Sequence, residues 1–135
     1  MSLYDIFNVS GSAMSAQTVR LNTTASNIAN ADSVASSSGE AYKARHPVFS
    51  TVLRNAGQVS AGVKVVGIVE SRAAPIARYE PNNPLADKGG YVYAPNVSLV
   101  EEMANMISAS RSYQSNVQVA NMTKNLISRT LTLGQ

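Results

Sequence analysis

Few side chains in this sequence could carry out acid–base or nucleophilic chemistry. The 135 residues include no Cys and a single His, His46, which precedes Pro47 in a basic, aromatic-flanked segment. A general base needs an orienting carboxylate and a nucleophile within reach, and no such set is recognisable around His46. The cysteine and histidine counts also exclude disulfide frameworks, thiol nucleophiles and nearly every zinc site. We therefore expect His46 to be a surface or interface residue.

Two further patterns resemble catalytic or binding motifs without having their geometry. Glu101 and Glu102 are adjacent, so on a helix they point about 100° apart and cannot converge as an acid–base pair. They are better placed to favour a helix N-terminus. Gly57, Gly62 and Gly67 recur every five residues and form neither a GxGxxG motif nor a P-loop, which indicates turn or bulge glycines. We expect no catalytic residue, no metal ligand and no cofactor.

The charge pattern argues against two classes of partner. The net charge is +3, but only 14% of the residues are charged, against about 25% in an average soluble domain. Lys and Arg are scattered without a run of three, so no track for phosphates is visible. No stretch approaches the ~18 apolar residues of a membrane span, and the first residues do not read as a secretory signal peptide. The sequence predicts neither nucleic-acid binding nor membrane insertion.

A long helix is predicted for residues 1–32. This segment contains no Pro and carries charge only at Asp5, Arg20 and Asp32. Its large apolar residues recur at an interval of seven, as in a coiled-coil seam. These N-terminal seam residues are Phe7, Met14, Leu21 and Ile28.

A second long helix is predicted for residues 96–135. Ser98 followed by Glu101 is a capping-box signature, and no Gly or Pro follows until Gly134. The apolar positions step alternately by four and three. The C-terminal seam consists of Leu99, Met103, Met106, Ser110, Tyr113, Val117, Ala120, Lys124, Ile127 and Leu131.

Residues 33–95 read as a linker followed by a small β insert. The Ser-rich stretch 33–39 has no periodicity and predicts a linker or mobile loop. Alternating apolar residues predict strands at 63–71, 77–79 and 91–93. The segment PNNPLADKGG lies between the last two, and its Pro, Asn and Gly content argues against regular structure.

The simplest packing lays one seam on the other. The predicted fold is therefore mainly α with a small β insert, in which the terminal helices form an elongated, antiparallel, coiled-coil-like hairpin. One seam-to-seam contact leaves further apolar residues of both helices partly uncovered. They are Val119, Met122, Leu126 and Leu133 on a second flank of the C-terminal helix and Ile6 and Val19 on the N-terminal helix. These residues could pack on the insert or on further copies of the hairpin, and the scarcity of charge favours further copies.

Four sequence segments carry a resemblance to a known family. They are LNTTASNIANADS, YKARHPVF, YEPNNPLADKGGYVYAPNV and VEEMANMISASRSYQSNVQVANMTKNLI. With the terminal heptads around an insert, they resemble the bacterial flagellar basal-body rod proteins over nearly the whole chain, and proximal-rod members most closely. In the distal-rod and hook relatives a Thr-Pro-Gly-Tyr element soon follows the Asn motif, whereas here a Ser-rich stretch intervenes. That departure favours the proximal rod.

The resemblance implies a structural subunit without catalysis. Such a subunit leaves the cytoplasm through the flagellar type III export apparatus without a cleaved signal peptide and polymerises helically in the periplasmic rod. Its expected partners are itself, other proximal-rod subunits, the rod adapter at the membrane ring and the distal rod. Its terminal helices would surround the channel, and 27–30 would be an interface and turn element. The expected assembly-interface residues are Phe7, Met14, Leu21, Asn27, Ile28, Asn30, Met103, Met106, Tyr113, Val117, Ile127 and Leu131.

Two other functions stay open at this point. One is a non-polymerising secreted adaptor or capping module of a type III export apparatus, and the other is a small hydrolase or lyase that uses His46 and a Tyr. The seams lack a complete set of partners within one chain, so we also expect the free subunit to have disordered ends. A protease-resistant fragment from Val59 to Tyr93 would then remain.

Overall fold

The structure, a computed structural model, describes residues 2–53 and 60–133. Within these residues two helices and four strands follow in the order α1, β1, β2, β3, β4, α2. The elements are α1 (Leu3–Ala29), β1 (Arg45–Leu53), β2 (Ser60–Glu70), β3 (Ile76–Tyr79), β4 (Tyr91–Ala94) and α2 (Leu99–Leu133).

Helix α1 is closed at both ends by polar side chains. At its start, Ser2 and Asp5 form a capping box, in which the Ser2 backbone N–H donates to Asp5 Oδ2 at 2.9 Å. At its end, Asn30 Nδ2 donates to the Ser26 carbonyl oxygen at 2.8 Å. This helix is slightly shorter than the predicted segment because Asn30 and the turn behind it take up the last helical carbonyls.

Helix α2 begins where the sequence signal placed it. The Glu101 backbone N–H donates to Ser98 Oγ at 3.4 Å, and Glu101 and Glu102 occupy the first turn. The helix has 35 residues, so at 1.5 Å per residue it is about 50 Å long. The prediction that a helix starts near Ser98 is confirmed.

Strands β1 and β2 form an antiparallel two-stranded sheet with two irregularities. The register shifts between Val48 and Phe49 and again between Val52 and Leu53. Gly67 and Gly62 stand opposite Val48 and Val52, directly beside these shifts. The interpretation of both as bulge glycines is confirmed, whereas Gly57 lies outside the described residues.

Strands β3 and β4 form a second antiparallel sheet, which is tied to the chain that follows α1. Ala35 and Tyr93 exchange two backbone hydrogen bonds, both of 2.9 Å. The stretch 33–39, predicted to be a linker or mobile loop, is therefore attached to β4 at Ala35.

The predicted fold class is wrong because it describes the β structure as only a small insert. About 22% of the chain is strand, arranged in two sheets, so the fold is helix-rich with a substantial β part. The strand missed by the sequence pattern is β1, which contains Pro47. Pro lacks a backbone N–H and argues against an interior strand, but each strand of a two-stranded sheet has a free edge that tolerates it.

Candidate assembly interface

The two helices pack side by side in opposite directions. Arg20 Nη2 donates to Asn105 Oδ1 at 3.1 Å, and Asn27 Nδ2 donates to Glu102 Oε2 at 3.1 Å. The earlier residue of α1, Arg20, contacts the later residue of α2, Asn105, and the later residue Asn27 contacts the earlier residue Glu102, so the helices are antiparallel. Their fully buried residues are small or polar, namely Ser10, Ala16, Thr23, Thr24 and Asn27 on α1 and Glu102, Ala109, Ala120 and Thr123 on α2.

The heptad seams are only partly buried. Among the members of both seams only Ala120 is fully buried, whereas Phe7 is 44% and Met103 51% exposed. The large apolar members that are half-buried are Met14, Leu21, Ile28, Met106, Val117 and Ile127. The two seams therefore do not fully bury each other within the single chain. Consecutive helical residues are about 100° apart, so the close contact through Asn27 turns its neighbour Ile28 to the flank.

Helix α2 consequently presents two exposed apolar patches. The first, which we call the head patch, lies near its start and consists of Leu99, Val100, Met103 and Ile107. The second, the tail patch, consists of Val119, Met122 and Leu126, with Met122 64% exposed. Because α2 is longer than α1 (35 against 27 residues), its last turns continue past the start of α1, and Leu131 is 69% exposed there. Contiguous exposed apolar residues of this kind mark protein interaction surfaces.

The outer surface of α1 carries almost no charge. Asp5 is engaged in the N-terminal cap, and Arg20 is turned toward Asn105 of α2. Phe7 and Tyr4 are exposed on this surface, and Met14, Leu21 and Ile28 are half-buried. An uncharged surface allows other helices to approach without leaving an unpaired charge buried.

Asn27 lies at the junction of three parts of the chain, with none of its surface exposed. Its Nδ2 donates to the carbonyl oxygen of Arg45 (2.9 Å) and to Glu102 (3.1 Å). Its Oδ1 accepts from the Tyr42 hydroxyl (2.9 Å) and from the Arg45 backbone N–H (2.8 Å). Two donors and two acceptor positions are all that a side-chain amide offers, so this amide is fully satisfied.

Asn30 has a different role from Asn27. It caps α1, and its carbonyl oxygen accepts from the backbone N–H of Ser33 (3.1 Å) and from Ser33 Oγ (2.8 Å). Asn27 is therefore a buried residue of α1, and Asn30 lies in the turn after α1.

The β1–β2 hairpin lies along α1 and is fastened at two points. The Val63 backbone N–H donates to Ser12 Oγ at 3.1 Å, and Arg45 is bound to Asn27 as described. From Ser12 to Asn27 is 15 residues of helix, or about 22 Å. Val63 pairs with Thr51, and from Thr51 to Arg45 is six residues of strand, or about 20 Å. The matching lengths show that the strands run alongside the helix.

The loop between β3 and β4 is held by its own carboxylates. Asp87 Oδ1 accepts from the backbone N–H groups of Gly89 (2.8 Å) and Tyr91 (3.0 Å). These bonds, Tyr91 first, hold the pKa of Asp87 below its usual value. A side-chain hydrogen bond from Asn83, and then one from Arg78, lowers the pKa of Glu80. The segment PNNPLADKGG is therefore irregular, as predicted, and is held by hydrogen bonds within itself and to the adjoining residues Glu80 and Tyr91.

The candidate chemical residues do not come together. His46 is exposed on β1 opposite Val69, Glu101 is exposed, and Glu102 is buried against Asn27. Within residues 2–53 and 60–133 no group of three or more His, Asp or Glu side chains could hold a metal ion. In the same residues neither helix has the long apolar stretch that a membrane span requires.

The sequence reasoning missed the contacts of Asn27 with Tyr42, Arg45 and Glu102. Tyr42 and Arg45 lie in a segment that carries the family resemblance, and Glu102 lies at a helix start, so neither position indicates a contact with Asn27. No local pattern connects residues that are 15, 18 and 75 positions apart.

Two family models match this chain, one at each end. Residues 7–35 match the model described as flagella basal body rod protein, and residues 88–133 match the model of the C-terminal region of the flagellar basal body rod FlgEFG proteins. The two matches cover nearly all of α1 and all of α2.

Curated relatives align along the whole chain. The flagellar basal-body rod protein FlgC of Salmonella typhimurium (strain LT2) and that of Escherichia coli O6:H1 are each 53% identical over 135 residues, with both chains fully covered. FlgC of Buchnera aphidicola from Acyrthosiphon pisum is 42% identical over 137 residues, again with full coverage. These relatives are named as rod proteins rather than enzymes, which confirms the expectation of a structural protein. With the helix pair and its exposed apolar patches, these matches show that the chain belongs to the flagellar basal-body rod protein family.

Proposed function

We propose that this rod-family chain is a structural subunit of the flagellar basal-body rod that polymerises helically through its terminal helices and lies in the proximal rod. The observation that carries the proposal is the arrangement of the helix pair. The fully buried residues of the pair are small or polar, and large apolar residues such as Phe7, Met103 and Met122 stay exposed. An isolated pair built in this way leaves apolar surface in water, and burial against further helices would remove that surface at about 25 cal/mol per Å².

The proposed assembly interface includes the exposed or half-buried seam residues of both helices. Asn27 and Asn30 belong to it indirectly, since they shape the chain around α1 from within. The apolar members are Phe7, Met14, Leu21, Ile28, Met103, Met106, Tyr113, Val117, Ile127 and Leu131. In this proposal residues 1–32 and 96–135 form a terminal helical domain, and residues 33–95 form a connecting and β-rich part outside it.

The proposal also names partners and a location. The relatives are named FlgC rod proteins, so we infer contacts with copies of this chain and with other rod proteins, including other proximal-rod subunits, the rod adapter at the membrane ring and the distal rod. The subunit would travel through the flagellar type III export apparatus and assemble in the periplasmic part of the basal body. A low charge content in both helices supports packing among many neighbouring helices, because buried charges would each need a partner.

The test is removal and replacement of the chain in the bacterium that encodes it. Cells without the gene should build basal bodies whose rods stop short, and the wild-type gene should restore complete rods in electron micrographs. Complete rods without this chain would contradict the proposal. A purified chain that stays a folded monomer at high concentration would contradict polymerisation through the helices.

A further inference from the structure

Asn27 joins the helix pair to the hairpin through a single amide group. Among the hydrogen bonds of the described residues, only those of Asn27 link α1 to both β1 and α2. Three of its four bonds go to Arg45 and to Tyr42, which stands just before β1, and the fourth goes to Glu102. The same side chain therefore holds the base of the hairpin and the start of α2.

The chemistry of this position requires an amide of this length. Nδ2 faces two acceptors, the Arg45 carbonyl oxygen and the Glu102 carboxylate, while Oδ1 faces two donors. Asp would offer an acceptor where a donor is needed, and Ala would remove all four bonds, leaving the Tyr42 hydroxyl only its contact with Ser26 Oγ at 3.3 Å. Because Asn27 and Glu102 are buried, a donor or acceptor left unpaired between them loses its partner without gaining a solvent hydrogen bond.

The second fastening of the hairpin, at Ser12, lies about 22 Å along α1. The Ser12 contact and the Asn27 junction together hold the hairpin against α1 at two places. Without the bonds of Asn27, the Arg45 end would keep only the contact between Ser26 Oγ and the Tyr42 hydroxyl (3.3 Å), so we expect that end to swing more readily away from α1. Val66, Ile68 and Val69 are exposed on β2, so such a swing would move an apolar surface relative to the helices.

We propose that Asn27 is a positioning residue: it fixes the base of the β1–β2 hairpin to the paired helices, so that the hairpin's exposed strands meet neighbouring subunits in one orientation. The part that concerns neighbours rests on the proposed function, whereas the positioning itself concerns the single chain. Helix α2 contributes the Glu102 carboxylate to this junction.

The charges around Asn27 allow a test with a distinct pH signature. Glu102 is only 5% exposed and makes no ion pair among the described residues. The Arg45 guanidinium contacts Glu70 and the Tyr42 ring. Among the described residues no cationic side chain bonds to Asn27 or Glu102, so in an Asn27→Asp chain two carboxylates would face each other at about 3 Å without an ion-pair partner. Such a pair holds one proton more readily than an isolated carboxyl group does.

The experiment measures hydrogen exchange of the Arg45 backbone amide in the full-length chain, relative to the rate for an unstructured peptide. This amide donates to Asn27 Oδ1 and reports the junction directly. In Asn27→Asp at pH 8 we expect its protection to fall at least about tenfold, the equivalent of losing one or two buried hydrogen bonds. At pH 5 the shared proton restores a donor, and protection should return to within about threefold of wild type.

Two further chains complete the test. Asn82→Asp adds the same charge to the exposed loop and should leave Arg45 protection unchanged at both pH values. Asn27→Asp with Glu102→Gln removes the second carboxylate, so protection at pH 8 should exceed that of Asn27→Asp and lose its dependence on pH. Cells that carry Asn27→Asp alone should build fewer complete rods at neutral pH than cells that carry Asn82→Asp.

Three results would overturn the proposal. They are an Arg45 amide that is unprotected in wild type, protection unaffected by Asn27→Asp, or a double variant no better than the single one. All three results are measured on the single chain, without an assembled rod. A failure of the proposed function would appear elsewhere, as complete rods in cells that lack the gene.

Discussion

The polar side chains of the β3–β4 loop find hydrogen-bond partners nearby in the sequence, whereas those between the two helices find partners far away in the sequence. In the loop between β3 and β4, Asp87, Glu80 and Asn83 bond to groups within eight residues of themselves. In the helix pair, the side-chain hydrogen bonds between the helices join residues 75 and 85 positions apart. The loop's conformation is therefore encoded locally, whereas the helix pair depends on the whole chain and leaves its apolar patches for partners. Substitutions in the two regions should differ accordingly.

The largest effect is expected from a charge placed in the seams. Ile28→Asp and Val117→Asp each put a carboxylate on a surface that we propose is buried between subunits, where an unpaired charge costs several kcal/mol. Isolated basal bodies should lack complete rods, and the cells should not swim. Asn82→Asp, in the loop, adds the same charge and should have little effect. Normal rods in both seam variants would show that the seams do not carry assembly.

The next effect concerns the free subunit, in which the helices lack their neighbours. The sequence predicts that limited proteolysis removes roughly the first 30 and last 35 residues, leaving a fragment that begins at Val59, which lies outside the described residues, and that helix content by circular dichroism rises on assembly. The structure changes the fragment expected to survive, because Asn27 and Glu102 join the base of the hairpin and β2 pairs with β1. Cutting should be confined to the helix ends far from Asn27, near Tyr4 on α1 and Leu131 on α2, and Arg45 should stay in the resistant part. Uncut helices in the monomer would contradict this prediction.

A smaller effect is expected where the hairpin meets α1. Gly62 has a φ of 152°, and a Cβ at this position would lie 2.5 Å from Ser12 Oγ. Gly62→Ala should therefore destabilise hairpin docking by about 1–3 kcal/mol, through strain and displacement of Ser12. Gly67→Ala is the matched control, because its Cβ would meet nothing within 4 Å. Thermal unfolding of the two variants tests this, and equal midpoints would contradict it.

The loop should respond to acid in a local way. The folded pKa of Asp87 lies below its ordinary value of 3.8, chiefly through the Tyr91 backbone N–H. Its carboxylate therefore stabilises the loop at pH above 3.8, and the contribution is lost as the pH falls from there through the folded pKa. Amide shifts of Gly89 and Tyr91, followed from pH 7 to pH 2, should move in this range only. Asp87→Asn should abolish the movement, and an unchanged profile would contradict the assignment.

The smallest effect is expected at Lys64. Its side chain is exposed on β2 and makes no ion pair among the described residues. Lys64→Ser should change stability by less than about 0.5 kcal/mol and leave swimming unaffected. A clear loss of motility with normal folding would indicate that the hairpin surface at Lys64 contacts a partner.

Prediction from sequence worked best where the determining contacts are local. The start of α2 followed from Ser98 and Glu101, which contact each other three residues apart. The bulges were indicated by Gly62 and Gly67, which stand beside the two register shifts, and Gly62 has a φ of 152° that other residues rarely adopt. Strand β1 was not predicted because it contains Pro47, which argues against a strand. Pro47 is tolerated there because β1 pairs only with β2 and so has a free edge, which is a property of the tertiary structure.

The sequence by itself determined that two long, weakly charged helices enclose a β-rich region, because heptad spacing, capping residues and turn residues act over a few positions. It also carried the family resemblance, through motifs that could be read directly. Only the tertiary structure decided which helix faces meet. Small residues such as Ala16 and Ala109 are buried, while Phe7 and Met103 remain exposed. Heptad periodicity marks a helix and its apolar stripe, but the inner face depends on how closely two distant segments can approach, and Asn27 acquires its role only when Tyr42, Arg45 and Glu102 come together around it.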